Sequence, residues 1–346
     1  MSWKERLHPL AAPVLEQPVL IIESDDWGPG SREQVRALES LRALLRRFRD
    51  RNGNPAMMTI GVVLSIPHPE AIAATGEYHA RHLDAPDYQP IVEALKAGEE
   101  EGVFALQLHG MAHFWPENFM TAWRRDDAIK RWLAEDGWRT ERLPPWLQSR
   151  WIDATGGLPS RPLSRQVLQA AVQEEVERFR RCFGTAPRVA VPPTFVWDEN
   201  VERAYAAAGI EVLITPGRRY SGRDAKGRLT APECCYYHGE PLACGLKALV
   251  RDVYFEPALG HDPEAVLEAI ARKWSRREPA LLETHRFNFL DDNLEDSLAA
   301  LERLLRGVLE YLPEVRFLSS RQLAMEAPTA APLPARLQSA WRRLRR

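Results

Sequence analysis

Residues 18–30 read PVLIIESDDWGPG, an apolar run that ends in two aspartates and a Gly/Pro turn. A continuous apolar run of this length is typical of a strand that is buried on both faces. The turn places Asp25 and Asp26 at the C-terminal end of that strand. Seven further short apolar runs predict strands at residues 56–64, 103–108, 188–192, 211–215, 248–255, 279–284 and 315–320.

Amphipathic helical patterns separate these runs, with apolar residues recurring at every third or fourth position. The clearest patterns span residues 32–51, 165–184 and 294–312. Strands that alternate with helices favour parallel pairing through right-handed crossovers. We therefore predict an α/β fold, and we favour a closed or nearly closed (β/α) barrel over a doubly wound sheet.

The 346 residues are interpreted as one barrel domain, residues 1–326, followed by a linker and a basic tail, residues 327–346. Residues 114–165 are a Trp-rich insertion that holds six of the chain's 11 tryptophans. Long insertions in barrels are often functional loops. The tail predicts weak peripheral membrane contact, although a solvated terminus explains its composition better.

Composition argues against several kinds of partner. The formal net charge is -2 and the pI is about 6.5, so no electrostatic ground exists for binding nucleic acid. The N-terminus lacks a signal-peptide core, and no run approaches the roughly 20 apolar residues of a membrane span. The 4 cysteines form no CxxC pair, which fits a reducing compartment. We expect a cytoplasmic protein without stable membrane insertion.

A candidate metal site emerges from two strand ends. The run at 103–108 leads into HGMAHF, which places His109 and His113 four residues apart and on one face. Alone, two aspartates could form a helix cap and two histidines could be structural. Together, Asp26, His109 and His113 make a three-ligand site with open positions, the pattern of catalytic zinc. Nickel, cobalt or manganese would also fit this divalent site.

Other candidate residues follow the later strands. His285, in LLETHRFNF, comes directly after an apolar run and suits a general acid or, alternatively, a hydrogen-bond partner of other site residues. Asp198 is predicted to cap a helix. Arg251 is interpreted as equally able to face solvent. Glu283 and Arg286 could tune His285 or contact substrate, but structural roles are favoured for both. Possible substrate contacts are Trp27, Trp115, Trp197 and Arg286.

With these residues assembled, residues 18–325 of the chain resemble the polysaccharide deacetylase superfamily. The NodB-homology domains of that superfamily are distorted (β/α) barrels of the glycoside hydrolase/deacetylase type, so the resemblance implies about seven or eight parallel strands. ESDDWG is similar to its first motif, which implies Asp25 as catalytic base and Asp26 as metal ligand. HGMAH resembles its His-x-x-x-His motif, and THRFNF its closing motif, with His285 as acid. SDDWG is also similar to the ADDFG start of the YdjC-like deacetylases.

One departure from the family concerns the third motif. The expected Arg-x-Pro-Tyr is replaced by RVAVPPTF, so Arg188 is displaced from the position that would contact the base. The motifs SDDWG, HGxxH and THRxNF together are similar to an uncharacterised bacterial subgroup.

The resemblance implies a metal-dependent hydrolase that removes an acetyl group from an N-acetylated sugar or polysaccharide precursor, by attack of a water activated at the metal. A saccharide substrate would suit the tryptophans of the insertion, although such rings more often serve packing. Two other functions stay open. One is a glycoside hydrolase on the same barrel. The other is a non-catalytic polysaccharide-assembly or carbohydrate-binding protein with a vestigial metal site.

Overall fold

Strand β1 lies inside a ten-stranded sheet in the computed structural model, which describes residues 15–326. All nine residues of β1 are buried, as expected for a strand covered on both faces. Each predicted apolar run coincides with at least one strand of this sheet. The strands are β1 (Val19–Trp27), β2 (Met58–Val62), β3 (Ser65–Pro67), β4 (Ala80–His82), β5 (Phe104–Leu108), β6 (Ile152–Asp153), β7 (Arg161–Pro162), β8 (Val189–Ala190), β9 (Val212–Thr215), β10 (Arg218–Arg219), β11 (Cys234–Cys235), β12 (Glu240–Pro241), β13 (Lys247–Val250), β14 (Val253–Tyr254), β15 (Ala280–His285) and β16 (Arg316–Phe317).

The parallel pairing forms a circuit. It runs from β1 through β2, β5, β8 and β9 to β13. The chain leaves β13 through Arg251 and Asp252 and continues as β14, which pairs with β15. Strand β15 lies along the other edge of β1, so the circuit returns to its start through the chain connection between β13 and β14 and not through a hydrogen-bonded ladder. The curled sheet is a distorted (β/α) barrel, as predicted, in which β13 and β14 act as one interrupted strand.

Two short strands complete the main sheet, and two others form a separate pair. β16 adds a parallel pair at the beginning of β1, and β12 pairs antiparallel with β13. The segment 216–247 contains the antiparallel pair of β10 and β11.

The helices cover the outside of the barrel. The pattern at 165–184 forms a helix that begins after Ser164, whose hydroxyl accepts from the Val167 amide, and ends before Gly184 with φ 79°. The pattern at 32–51 gives a shorter helix that ends at Leu45. The helices are α1 (Glu33–Leu45), α2 (Pro69–Thr75), α3 (Gln89–Glu100), α4 (Pro116–Arg125), α5 (Asp127–Asp136), α6 (Arg165–Phe183), α7 (Glu199–Ala207), α8 (Pro263–Ser275), α9 (Leu294–Tyr311) and α10 (Ser320–Glu326).

Side chains of β1 alternate between two cores, because successive residues of a strand face opposite sides. Leu20 and Ile22 pack in the large core that includes the helices. Val19 and Ile21 belong to a second core with apolar residues of β8, β9, β13 and β15, which α10 closes through Leu323 and Ala324. This second core fills one end of the barrel. By the same alternation, Glu23 and Asp25 lie on the same face of β1 as Val19 and Ile21. Polar side chains therefore follow the apolar ones along the inside of the barrel.

The insertion at 114–165 contributes α4, α5 and the short pair of β6 and β7, with a small core of its own that contains Phe119, Trp132 and Leu147. Among residues 15–326, no helix is long and apolar enough to cross a membrane. The predicted linker and basic tail at 327–346, with their membrane contact, lie outside the described residues.

Candidate active site

A bulge in β1 places two consecutive carboxylates in the site. The register with β2 shifts between Ser24 and Trp27, and Asp26 has a φ of 75°. This left-handed conformation costs on the order of 1 kcal/mol or more for a residue with a side chain. In a regular strand Asp25 and Asp26 would point to opposite faces. The bulge redirects Asp26, and it now lies against the histidines of the neighbouring loop.

Asp26, His109 and His113 converge as predicted. Their potential ligand atoms all lie within 4.8 Å of one another, and this is a group that could hold a metal ion. Asp26 Oδ1 lies 2.6 Å from His113 Nε2 and 3.3 Å from His109 Nε2. The two Nε2 atoms are 2.8 Å apart. All three residues are buried.

The donor set fits a divalent cation. His109 Nδ1 donates to the Val191 carbonyl at 3.0 Å, because a carbonyl can only accept, and this leaves the Nε2 lone pair directed at the cluster. Within residues 15–326, the buried Nδ1 of His113 has no hydrogen-bond partner. One carboxylate and two imidazoles are ligands that zinc and similar metals accept. Burial opposes ionisation, but His113 and His109 hold the pKa of Asp26 well below its usual range.

Asp25 is held by an arginine from the interrupted strand. Arg251 Nη1 donates to Asp25 Oδ2 at 2.6 Å, and Arg251 Nε donates to Glu23 Oε2 at 2.6 Å. Arg251 is fully buried, so the prediction that it could equally face solvent was wrong. Glu23 also accepts from the Ser320 hydroxyl of α10. Burial tends to raise the pKa of Asp25, but Arg251 and then His109 lower it overall.

Arg251 lies where β13 passes into β14, which explains its position. This interruption of the strand points the guanidinium into the barrel, beside the inner face of β1. Arg188, the arginine of the altered third motif, is exposed and pairs with Glu211 at 3.2 Å. An arginine therefore does contact Asp25, but it comes from a later strand than the family motif implied.

His285 stands beside Asp25 on the adjacent strand, because the two residues are register partners of β15 and β1. Its Nδ1 lies 2.6 Å from Glu256 Oε1, and Asn288 donates to the other oxygen of Glu256. Burial alone would lower the pKa of His285, but the hydrogen bond to Glu256 and the charge of Asp26 raise it to about 10. The ring is therefore protonated at neutral pH, with Nε2 facing away from Glu256.

Glu283 completes the inner face of β15. Its Oε1 lies 3.7 Å from His285 Nε2, and its Oε2 lies 3.9 Å from Arg251 Nη1. Burial raises the pKa of Glu283, with Arg251 and His285 acting in the opposite direction. The sequence favoured a structural role for Glu283 and left open that it could tune His285; the structure places it between Arg251 and His285.

Comparison with solved structures identifies a shared fold. A Mycobacterium smegmatis protein described provisionally as a polysaccharide deacetylase aligns over 94% of this chain and 98% of its own, with a TM-score of 0.52 and 13% identity. The chain has the fold of the polysaccharide deacetylases. The family 4 carbohydrate esterase of Streptomyces lividans aligns over 93% and 100% of the two chains, with a TM-score of 0.43 and 13% identity.

A third structure, a Clostridium thermocellum family 4 acetyl xylan esterase in complex with a cobalt ion, has a TM-score of 0.42 and 9% identity over 91% of this chain and 100% of its own. No protein-family model and no curated protein matches the sequence. The likeness to the Mycobacterium smegmatis protein, at 13% identity, shows the fold alone.

Two of the predicted substrate contacts lie too deep in the protein to reach a substrate. Trp27 and Trp197 are both fully buried. Trp27 Nε1 donates to Ser24 Oγ at 2.9 Å, and Trp197 Nε1 donates to Glu202 Oε1 at 3.0 Å. Both rings belong to the helix-facing core, so they stabilise the fold and cannot contact a sugar.

The other two candidates lie in different surroundings. Trp115 is partly exposed, with the Arg150 guanidinium 5.2 Å from its ring centroid. Arg286 is buried and donates to the Trp138 carbonyl at 3.1 Å, with its guanidinium 4.8 Å from the Trp138 ring centroid. Asp198 caps α7 as predicted, by accepting from the amides of Asn200 and Val201.

The insertion contacts each segment that carries the candidate site. A Cβ at Gly30, after β1, would lie 2.7 Å from the Trp138 ring. Buried Arg150 donates to Glu175 at 2.9 Å, and Glu175 accepts from the Met111 amide within HGMAH. Arg139 pairs with Asp291, shortly after His285, at 2.6 Å. The insertion thus packs against the segments that carry Asp26, His113 and His285 and stabilises their positions. Its sequence did not reveal this role.

Proposed function

We propose that this chain is a metal-dependent hydrolase that removes an acyl group, with acetyl the favoured case, from an N-acylated sugar or polysaccharide precursor. The observation that supports it most is the convergence of three metal-type ligands beside two differently tuned groups. Arg251 keeps Asp25 ionised, whereas Glu256 keeps His285 protonated. A base and an acid whose pKa values are shifted in opposite directions are typical of a hydrolytic active site.

Asp26, His109 and His113 would hold the metal. When bound there, a divalent ion polarises an acyl oxygen and lowers the pKa of a coordinated water. Zinc suits these ligands best, and nickel, cobalt or manganese could replace it. His109 contributes through Nε2, because Val191 fixes its Nδ1 as a donor.

Asp25 would take the proton of the attacking water. Its carboxylate is ionised, and the short contact to Arg251 fixes its orientation while leaving lone pairs available. Arg251 is a positioning residue in this scheme, because it acts through Asp25. His285 would then deliver its proton from Nε2 to the departing nitrogen, while Glu256 holds the ring through Nδ1. Acetate and a free amino sugar are the products.

Paired variants test this assignment of roles. Asp25→Asn should keep the metal and lose turnover, whereas His109→Ala should lose both. Asp252→Asn is a matched control, since Asp252 is exposed, pairs with Lys273, and lies outside the candidate site. Metal content and acetate release should be measured on all three. Full activity in Asp25→Asn would refute the assignment of the base.

Among the candidate tryptophans, Trp115 is the one with an exposed surface that we propose for sugar stacking. Trp115→Ala should raise KM for a saccharide with little change in kcat, and unchanged saccharide binding would remove it from the site. An acetate-release screen over acetylated saccharides also separates the other functions. Release of reducing sugar without acetate would identify a glycoside hydrolase, whereas neither metal nor turnover would indicate a non-catalytic protein.

A further inference from the structure

Glu283 is a buried acidic group in the site that the proposed mechanism does not use. The residue is 5% exposed, and its Oε2 has no hydrogen-bond partner among residues 15–326. A buried carboxylate without a hydrogen bond is costly, so such a group in a native site commonly indicates a ligand that is not present.

The neighbours of Glu283 do not satisfy it. Arg251 already donates to Glu23 and Asp25, and its nearest contact to Glu283 is 3.9 Å, too long for a hydrogen bond. His285 is directed at Glu256 through Nδ1, and its Nε2 remains 3.7 Å from Glu283 Oε1. Both cations attract the Glu283 carboxylate electrostatically, but neither lies within hydrogen-bond distance of it.

The position of Glu283 beside His285, the proposed acid, favours one kind of leaving group in the substrate. The free Nε2 of His285 is the atom that would protonate the leaving group. Glu283 Oε1 lies 3.7 Å from that nitrogen, so a substrate atom that contacts His285 is also within reach of the Glu283 carboxylate, whose Oε2 has no hydrogen-bond partner among residues 15–326. An amide nitrogen carries an N–H that a carboxylate can accept. An ester oxygen carries only lone pairs, which a carboxylate oxygen repels.

We propose that Glu283 is a specificity residue that accepts a hydrogen bond from the leaving nitrogen and so favours N-acyl over O-acyl substrates. This inference rests on the proposed function. A hydrogen bond to a charged group changes a rate by about 10–100-fold when it is removed. The carboxylate also disfavours the ester by repulsion, so its removal should slow the N-acyl reaction without slowing the O-acyl reaction.

The test compares N-acetylated and O-acetylated versions of the same saccharide with metal-loaded protein. In Glu283→Gln, kcat/KM for the N-acetyl substrate should fall about 10–100-fold, while the value for the O-acetyl substrate should stay or rise. Glu268→Gln is the control, because Glu268 lies exposed on α8 and pairs with Arg272. Metal content of each variant should be unchanged.

Several outcomes would overturn the inference. An equal loss on both substrates would make Glu283 a structural group, and no loss would remove it from the site. Wild-type protein without turnover on either class would overturn the proposed function and this inference together. If Glu283→Gln does not fold, inhibition of the wild type by glucosamine and by glucose provides the test. Stronger inhibition by the amine is expected, and equal inhibition would contradict the inference.

Discussion

A single added methyl group at Gly61 should disable the base while leaving the metal site intact. Gly61 lies on β2, and a Cβ built there would lie 3.0 Å from Asp25 Cγ and closer still to its Oδ1, whereas ordinary contacts begin at 3.4 Å. The backbone of β2 cannot simply move away, because it is paired with β1 on one side and with β5 on the other. The Asp25 carboxylate must therefore move by on the order of 1 Å, a displacement that can cost about 100-fold in rate.

The Gly61→Ala variant should thus lower kcat by about 100-fold and destabilise the fold by about 1–3 kcal/mol through overpacking. Acetate release, metal content and thermal unfolding should be measured together. Thr59→Val, two residues earlier on the same strand, is the matched control, because it conserves volume and removes a hydroxyl that has no partner among residues 15–326. A folded Gly61→Ala protein with kcat within twofold of the wild type would refute the placement of Asp25.

Two further predictions concern the charged neighbours of the site. In Glu256→Gln, His285 loses the partner that raises its pKa to about 10, so the basic limb of the pH–rate profile should move to lower pH. The sign follows from the role of His285 as an acid, since activity is lost as pH rises through its pKa; a basic limb at the wild-type pH would exclude that role. Arg251→Met leaves Glu23 and Asp25 buried without a cation and should destabilise the fold by about 3–5 kcal/mol in chemical denaturation. A loss below 1 kcal/mol would show that the two acids are neutral or hydrated.

The strands were predictable because buried parallel strands leave continuous apolar runs, and those ending at Asp25, His109 and His285 have their polar residues at the strand ends. Asp26, His109 and His113 could be grouped in advance for the same reason, since the C-terminal ends of barrel strands meet at one end. The bulge at Asp26 could not be foreseen, because a residue with a side chain at φ 75° leaves no mark in composition.

Arg251 and Glu256 were missed for a different reason. Their partners, Asp25 and His285, lie far along the chain, and neither residue belongs to a recognisable motif. One signal was present for Arg251: a charge between the apolar runs of β13 and β14, where a solvent-facing residue and an inward ion pair look alike in sequence. Trp197 was misassigned because aromatic residues near strand ends serve cores more often than ligands.

Elemental analysis of the purified protein tests the metal site most directly. The wild type should contain about one divalent metal ion per chain. Asp25→Asn should retain that metal, because Asp25 is held by Arg251 outside the ligand cluster. His113→Ala should lose it, because His113 Nε2 lies 2.6 Å from Asp26 within the cluster. A wild-type protein that binds no divalent metal, or a His113→Ala variant that keeps a full equivalent, would contradict the site on which the proposed function depends.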